Sequence, residues 1–547
     1  MALSRRSFLT RVGQAGGFGA AYAAMQGMGL LPIAESKAAV VEAGAGSGKG
    51  VKVVVVGGGI AGLVAAYELR ALGYECTVLE ALGRPGGRNW TVRGGDEVVF
   101  ADGTKQTCHF DPGHYQNFGP GRLPSNHLTM LGYCRKLGVQ LEVEINTSRS
   151  SLLQNDAANG GKPVVQRQAI NDARGHVSEL LSKCIRKGLL DGEMTKQDLE
   201  RMLSFLRIYG PLDKAGKYVG SERAGYSVLP GAGEDDGVTS VPLSMEMLLD
   251  ADFWFGLLYE EENDWQATMF QPIGGMDRIP HAFAEALGTI VQYNSPVTDM
   301  LKTARGVLVA YMQNGVRKAI EADFCICAMP LVPLRKVRHN LSAAHRKVVE
   351  ECTYDGYYKV AWESRRFWEQ DYNIYGGLEF LSTGCSPVWL PSAGLFSERG
   401  VLVSGYAPAT GTPFGRLSLP EKFAASRASV EKLHPGHGRE LEKPLYVGWG
   451  EVPYIEGAWI SSYGPKQMYV EPEEVTEFGH RRGGEYANPG YTTLLQPDGP
   501  IYFAGDHVSY LVGWQEGAAL SSIRAVNMLG ERVKAARMAG VKFGVAG

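Results

Sequence analysis

The sequence is poor in cysteine, and the cysteines it has are scattered. There are eight in 547 residues, and no two follow the Cys-x-x-Cys spacing of redox and zinc motifs. Only Cys325 and Cys327 are close together. They lie in a segment that alternates like a β-strand, so we interpret both as small core residues. His434 and His437 share a loop rich in proline and glycine but lack the further ligands that a metal site requires. We therefore expect no bound metal.

The sequence also lacks an excess of charge of either sign. The 55 Lys and Arg residues against 58 Asp and Glu residues give a net charge of −3, with an isoelectric point near 6.4. This balance argues against a nucleic-acid partner and against a surface that binds anionic lipid. Beyond the N-terminal segment, no apolar run suggests a membrane-spanning helix. With 44% hydrophobic residues, the chain can instead bury two or three domain cores.

A glycine-rich turn between two apolar strands is the most informative segment. The β-branched run Val53–Val56 predicts a buried parallel strand. Gly57, Gly59 and Gly62 follow it and open a helix, and a second strand ends on Glu80. The first glycine permits the tight turn, the second lets the backbone approach a pyrophosphate, and the third lets the helix pack on the strand. Glu80 can accept hydrogen bonds from ribose hydroxyls. The segment predicts a dinucleotide site rather than an ordinary glycine-rich turn.

A second loop narrows the choice of dinucleotide. Arg84, Gly86, Gly87 and Arg88 follow Glu80 directly, so that backbone and two guanidinium groups can reach a second stretch of cofactor phosphate. This combination of motifs resembles the flavin-containing amine oxidase superfamily, whose sites bind FAD. The alternative is a basic turn on the surface.

Later segments extend the resemblance from about Val51 to about Arg532. Asn294-x-x-Val297 matches a family segment that usually contacts adenine through the Val297 backbone. Near the C-terminus, Asp506 matches an acid that the family brings to the flavin ribityl chain. The turn at Gly513 precedes a helix whose N-terminus the family places at the isoalloxazine ring.

The resemblance implies an α/β fold with interleaved domains. We expect an FAD-binding Rossmann-like, doubly wound domain, a substrate domain with a mixed sheet, and a helical insert that forms one wall of the substrate entrance. Helical patterns in the insert predict helices over 169–187 and 196–209. The turn-rich residues 221–240 predict a loop. The expected boundaries are 51–93, 265–335 and 490–536 for the FAD-binding domain, 94–155 and 336–489 for the substrate-binding domain, and 163–258 for the helical domain.

Within the superfamily, the chain resembles bacterial FAD-dependent L-amino acid oxidases. Arg122 carries this part of the resemblance, in a segment with proline on both sides. A desolvated substrate carboxylate needs a planar partner with two donors, and the family uses such an arginine as a clamp. The alternative is that Arg122 forms a structural salt bridge.

Five further positions correspond to the family's reaction site. Lys359 matches a lysine that holds a water near flavin N5; the alternative is a surface lysine. Trp449, Trp459 and Trp514 match aromatics that wall the amine channel and exclude water, although each could be plain core. Trp389 stands where L-amino acid oxidases often carry a tyrosine that shares the substrate carboxylate. An indole donates but cannot accept, which leaves this second contact open.

The activity implied is oxidative deamination of an L-amino acid by molecular oxygen. Hydride would pass from the α-carbon to flavin N5, giving a 2-oxo acid, ammonia and hydrogen peroxide, and favouring mildly alkaline pH. Ala458 stands where some monoamine oxidases carry a flavin-linking cysteine, so we expect non-covalent FAD. Three alternatives remain: an L-amino acid 2-monooxygenase like tryptophan 2-monooxygenase, which makes an amide; an amine oxidase whose substrate lacks a carboxylate; and a redox module without turnover.

Residues 1–39 resemble a twin-arginine export signal. Arg5 and Arg6 precede a weakly apolar stretch rich in glycine and alanine, and small residues follow where cleavage could occur. The glycines between Gly13 and Gly29 make a membrane-spanning helix a poor alternative; a disordered basic tail is the other. Residues 40–50 read as a flexible linker. We expect a periplasmic or secreted protein without a membrane in its mature form, and a homodimer or larger homo-oligomer.

Overall fold

The computed structural model describes residues 39–42, 44, 46–464 and 489–543. The chain divides into two compact units, Met1–Val40 and Val41–Gly547, and the strands and helices of the described residues lie in the second. The proposed export signal over 1–39 lies outside the described residues except for Ala39. Within the described ranges, no helix has the length and apolar character needed to cross a bilayer.

A five-stranded parallel sheet forms the first layer of the fold. Its order is Val291–Gln292, Glu75–Leu79, Lys52–Val56, Phe324–Cys327 and Ile501–Phe503. The central valine run is buried on both faces, as a parallel sheet covered by helices requires. These strands come from 51–93, 265–335 and 490–536. The predicted strands over 53–56 and around the cysteine pair are confirmed, and both cysteines are fully buried.

Two helices cover one face of this sheet. Ile60–Ala71 connects the first two strands in chain order, and the long C-terminal helix Gln515–Met538 packs against it. The Ser522 hydroxyl donates to the Ala61 carbonyl at 2.7 Å. This covered parallel sheet confirms the predicted Rossmann-like α/β class.

A seven-stranded mixed sheet forms the second layer. Its order is Val164–Val165, Leu152–Gln154, Gly377–Leu381, Val388–Leu390, Arg399–Pro408, Tyr357–Arg365 and Glu442–Gly448. Only the second and third of these strands pair in parallel. A large core lies against it, with Trp362, Phe367 and Trp368 fully buried.

Residues 166–258 are mainly helical. The α-helices are Gln166–Arg186, Lys196–Tyr209, Met245–Ala251 and Trp254–Leu258. The first begins three residues before its predicted start, and the second matches its prediction. The Thr195 hydroxyl caps the second helix by accepting from the Asp198 N–H. The expected loop over 221–240 contains a short hairpin of Tyr226–Val228 and Val238–Thr239.

A three-stranded sheet of Leu123–Pro124, Met269–Pro272 and Leu141–Glu144 lies beside the mixed sheet, with the middle strand pairing both others. The remaining strands are Thr91–Arg93, Glu97–Val99, Lys105–Thr107, Tyr115–Asn117, Val297–Lys302, Val307–Gln313, Val316–Ala322, Arg338–His339, Thr353–Asp355 and Trp459–Ser462. The remaining α-helices are Leu128–Lys136, Arg278–Leu287, Leu331–Leu334, Ala343–Glu351, Phe367–Gln370, Leu419–Leu433 and Pro489–Leu494.

Candidate active site

A cavity of about 920 Å³ runs from the parallel sheet to the mixed sheet. The carboxyl ends of the parallel strands open into it, which is where α/β sheets bind ligands. Most of the predicted site residues line its wall: Gly57, Gly59, Glu80, Gly86, Gly87, Arg88, Arg122, Val297, Lys359, Trp389, Trp449, Trp459, Asp506, Gly513 and Trp514. The structure therefore brings together residues from across the whole sequence.

The two glycine turns face each other at one end of the cavity. An added Cβ on Gly59 would meet no protein atom nearer than the Gly86 carbonyl at 4.0 Å, and one on Gly87 would meet the Gly59 Cα at 3.5 Å. The helix that follows begins without a side-chain cap, so its first N–H groups are available to an anion. Gly62 does not line the cavity. It allows the helix to pack closely on the turn, because a Cβ at this position would lie 1.9 Å from the Gly57 carbonyl oxygen.

Glu80 is buried at the edge of the space between these two glycine turns, which we call the glycine cradle. Its Oε2 accepts from the Gly58 N–H at 2.6 Å and its Oε1 from the Leu82 N–H at 2.7 Å. Burial raises the pKa of this carboxyl, and the two backbone donors oppose the shift. A carboxylate has about four acceptor sites, so the fixed group can still accept from ribose hydroxyls.

The two arginines of the second loop have different environments. We expected both to reach phosphate, but Arg84 is not on the cavity wall. Its guanidinium donates to the Gly87 carbonyl at 2.8 Å and lies 4.3 Å from the Trp90 ring, so it holds the loop itself. Arg88 does line the cavity, where it donates to the Ala458 carbonyl and pairs with Asp506.

Asp506 is almost fully buried where its strand opens into the cavity. Its Oδ2 accepts from Arg88 at 3.0 Å and from the Gly513 N–H at 3.0 Å. Burial opposes its ionisation, but Arg88, His507 and the Gly513 N–H together outweigh burial and hold the pKa of this carboxyl below its usual range. The acid is therefore a fixed anion that joins the second loop to the turn at Gly513.

Arg122 also lines the cavity, and it directly precedes the strand Leu123–Pro124. Its side chain is 8% exposed. It donates to Asn146 Oδ1 and, at 2.7 Å, to the Tyr259 hydroxyl, and its guanidinium lies 4.9 Å from the Trp389 ring. Among the described residues no carboxylate forms an ion pair with it, so the structural salt bridge considered as an alternative is not found there; Glu144 acts on it from a greater distance. A buried guanidinium held by neutral acceptors is suited to an anionic ligand.

Lys359 points inward from the strand Tyr357–Arg365 and is only 2% exposed, so the surface alternative is wrong. Its Nζ donates to the carbonyls of Asn117 at 2.9 Å and Gly119 at 2.6 Å. Burial lowers the pKa of this ammonium to about 7, with a further lowering by Arg122. One donor remains beyond these two carbonyls.

The four predicted tryptophans all line the cavity. Trp449 is buried and its indole donates to the Phe118 carbonyl at 3.0 Å. Trp459 lies 4.2 Å from the Tyr357 ring, and Trp514 occupies the N-cap of the C-terminal helix. Trp389 donates from its indole to Glu144 Oε1 at 3.2 Å.

The family model of flavin-containing amine oxidoreductases matches residues 60–529. The chain belongs to this family. It is 25% identical to the L-amino-acid oxidase of Notechis scutatus scutatus over 86% of this chain and 85% of that protein. It is 24% identical to the flavin-dependent L-tryptophan oxidase of Lentzea aerocolonigenes over 87% of this chain and 98% of that protein.

A solved structure of the same fold is the cyclohexylamine oxidase of Brevibacterium oxydans. It aligns with 88% of this chain and 99% of its own, with a TM-score of 0.57 and 17% identity. Membership of the family makes this protein a flavin-dependent oxidoreductase and implies FAD as its cofactor.

The cavity fits that cofactor on two structural grounds. The glycine cradle is a space that any Cβ at Gly59 would fill. Toward the C-terminal helix, three buried side-chain atoms have no hydrogen-bond partner among the described residues: Asn89 Oδ1, Gln515 Nε2 and His507 Nε2. Because their side chains line the cavity, these atoms are available to a polar ligand.

These three side chains were not predicted from the sequence. Asn89 and Gln515 hydrogen bond to each other at 2.7 Å although 426 residues separate them. Each directly follows a motif residue, Arg88 or Trp514, which is the signal that could have identified them. Burial lowers the pKa of His507 to about 4, so this ring is neutral.

Aromatic side chains around Arg122 were also missed. Phe255, Tyr259, Trp265, Phe380 and Tyr406 line the cavity. Tyr259 and Trp265 stack with ring centroids 4.4 Å apart. Their segments carry no motif, so no sequence signal marks them. Phe255 lies in the helix Trp254–Leu258 and adds a helical side to this wall.

Among the described residues, one group of possible metal ligands lies apart from this cavity. Asp111, His114 and Glu363 offer ligand atoms within 4.8 Å of one another. Lys443 Nζ already lies 2.7 Å from Asp111 and 3.0 Å from Glu363, and Arg399 pairs with Glu363 at 3.2 Å. These cations neutralise the cluster.

Proposed function

We propose that this protein is an FAD-dependent L-amino acid oxidase. The observation that carries the proposal is Arg122: a buried, permanently charged guanidinium on the cavity wall that forms no ion pair within 4 Å among the described residues and has only the more distant Glu144 as a counter-charge. Leaving such a charge unpaired is costly, and a substrate carboxylate would provide its partner. The names of the two L-amino acid oxidases given above support the same substrate class.

The residues of the chain would then bind and orient the substrate. Arg122 holds the carboxylate, and Tyr259 and Asn146 fix the guanidinium in one orientation. The aromatic walls exclude water and face the amine. Because carboxylate and amine are both fixed, the α-C–H has one direction in which to point. Lys359 has a remaining donor for a water or substrate atom.

FAD, when bound, supplies the acceptor for the α-hydride and passes the electrons to oxygen, which leaves as hydrogen peroxide. The imino acid hydrolyses to a 2-oxo acid and ammonia, so one amino acid, one oxygen and one water are consumed. The neutral amine is the reactive form, which favours mildly alkaline pH. The proposal is tested by incubating the purified protein with each of the twenty L-amino acids and measuring peroxide together with 2-oxo acid. Peroxide without 2-oxo acid, or neither product, would refute it.

A second candidate is an amine oxidase whose substrate has no carboxylate. The fold similarity to cyclohexylamine oxidase favours this candidate. Oxidation of amines but not of amino acids in the same assay would establish it. An amide product with carbon dioxide would instead indicate an L-amino acid 2-monooxygenase.

We further propose that FAD is bound without a covalent link. The carbonyl of Ala458 accepts from Arg88 beside the cavity, and its methyl side chain cannot form a bond to the flavin. The purified protein should be yellow, and acid precipitation should leave all flavin absorbance in the supernatant. Flavin that stays with the precipitated chain would contradict this prediction.

Export by a twin-arginine system is proposed from residues 1–39 alone. Such systems carry folded proteins, which suits a flavoprotein that acquires FAD in the cytoplasm. Replacing Arg5 and Arg6 together by lysine should retain the active protein in the cytoplasm, as measured by fractionation. Unchanged export would exclude this route.

A further inference from the structure

A second, smaller cavity lies behind Trp389. Its volume is about 130 Å³, enough to hold several water molecules. Trp389 and Gly121 line both cavities, so they form the partition between them. On its other side the small cavity is lined by Gly394 and Ser397, which are exposed. It therefore connects the partition to the protein surface without passing through the large cavity.

Glu144 lies on the inner wall of this second cavity. It is 4% exposed and ends the strand Leu141–Glu144. Its Oε1 accepts from the Trp389 indole at 3.2 Å, whereas its Oε2 is buried without a hydrogen-bond partner among the described residues. An unpartnered buried carboxylate oxygen is costly unless it is protonated or hydrated. Burial raises the pKa of this carboxyl to about 7, against the opposing effect of Arg122.

Two cations lie close to the same indole ring. The Arg122 guanidinium lies 4.9 Å from the Trp389 ring and Lys359 Nζ lies 5.1 Å from it. The negative charge of Glu144 raises the pKa of both cations. The Tyr259 and Tyr406 hydroxyls also lie around Arg122. In the absence of substrate, Glu144 therefore provides their counter-charge.

The other charged groups around the small cavity have partners of their own. Arg366 is paired with Glu369, Arg399 with Glu363 and Glu442, and His114 lies 3.3 Å from Glu363. This leaves Glu144 as the lining carboxyl whose charge balances the cations of the substrate site.

We propose that Glu144 takes up a proton through the small cavity when a substrate carboxylate binds Arg122. This inference rests on the proposed function. An incoming carboxylate replaces Glu144 as the counter-ion of Arg122. Burial lowers the pKa of Lys359 to about 7, so at alkaline pH this amine is largely neutral and Arg122 is the one full cation between the two carboxylates, which cannot both stay ionised at low cost. The proton comes from solvent and forms one O–H bond at Oε2, and no electrons move. Glu144 is thus a positioning residue that keeps the charge of the site constant.

The test uses the FAD-loaded enzyme and 3-phenylpropanoate, a carboxylate without the reacting amine. Its Kd is followed by flavin absorbance from pH 6 to pH 9, and calorimetry in buffers of different ionisation enthalpy counts the protons. For the natural enzyme we expect uptake of roughly half a proton or more at pH 8, and a Kd that rises about tenfold for each unit by which the ligand raises the pKa of Glu144.

The decisive variant is Glu144→Gln, whose amide oxygen still accepts from the Trp389 indole but cannot ionise. Its Kd should change little with pH and should be at least about tenfold lower than that of the natural enzyme at pH 9. Glu142→Gln is the matched control, because Glu142 lies on the same strand, bonds to Gln271 and lines neither cavity. It should keep the natural pH profile. A Glu144→Gln profile as steep as the natural one would overturn the proposal.

Two further outcomes separate this inference from the proposed function. If Arg122→Leu binds 3-phenylpropanoate as tightly as the natural enzyme, the proposed function fails. If Arg122→Leu loses binding while Glu144→Gln keeps the natural pH profile, only the proton coupling fails. Should Glu144→Gln not fold, the proton count in Lys359→Gln decides when it is measured over the whole range from pH 6 to pH 9. Loss of the ammonium raises the pKa of Glu144, so uptake that moves to higher pH belongs to Glu144, whereas uptake that is absent at every pH belongs to Lys359 and overturns the proposal.

Discussion

Arg122→Leu is expected to lower kcat/KM for L-amino acids by roughly 10² or more. The change removes the two-donor clamp and leaves any bound carboxylate desolvated and unpaired, which costs about 2–5 kcal/mol. The matching amine without a carboxylate should lose far less, since it never contacts the arginine. Steady-state kinetics on both substrates measure the difference.

The fold should survive this change, because Arg122 makes no ion pair within 4 Å among the described residues and Lys359 remains as a cation for the buried Glu144. Flavin content and thermal melting check this point. Arg122→Lys is the matched control: it keeps the charge but loses the planar fork, and it should give an intermediate defect. Equal losses for the amino acid and the amine would mean that Arg122 is scaffolding, and the amino acid assignment would lose its main support.

Gly59→Val is expected to yield a folded protein that hardly binds FAD. Gly59 has φ −72°, which any residue can adopt, and a Cβ there meets only open cavity. The added carbons would therefore occupy the space of the pyrophosphate rather than clash with the protein. Forcing extra carbons into a filled site costs on the order of 3 kcal/mol, so FAD affinity should fall roughly a hundredfold.

The measurement is a titration of the FAD-free protein with FAD, followed by flavin absorbance, alongside thermal melting. Gly62→Ala is the contrasting control, since its Cβ would lie 1.9 Å from the Gly57 carbonyl oxygen. It should lower the melting temperature, whereas Gly59→Val should melt like the FAD-free natural protein. Full flavin content in Gly59→Val would place the cofactor elsewhere in the cavity.

The dinucleotide end of the site could be predicted because its signals are local. The valine strand, the three glycines and Glu80 lie within 30 consecutive residues, and backbone geometry alone relates them. Arg84 shows the limit of such reasoning. Its residue type and spacing suggest a phosphate contact, but the packing of its loop turns the guanidinium onto Trp90 and the Gly87 carbonyl.

The substrate end was only partly predictable. Arg122 and Lys359 could be identified by resemblance, but their environment comes from distant segments. Tyr259 is 137 residues from Arg122, and Glu144 is 245 residues from Trp389. No periodicity links such positions, because sheet packing rather than local geometry brings them into contact.

The sequence by itself determined the Rossmann-like layer, the family and the flavin cofactor, because short contiguous motifs specify a strand, a turn and a helix start. The tertiary structure alone decided that Arg122 is buried without an ion pair among the described residues, and that Glu144 faces a separate cavity behind Trp389. Burial and charge balance depend on which distant side chains surround a group. They are therefore properties of the packed chain and are not encoded in any local segment.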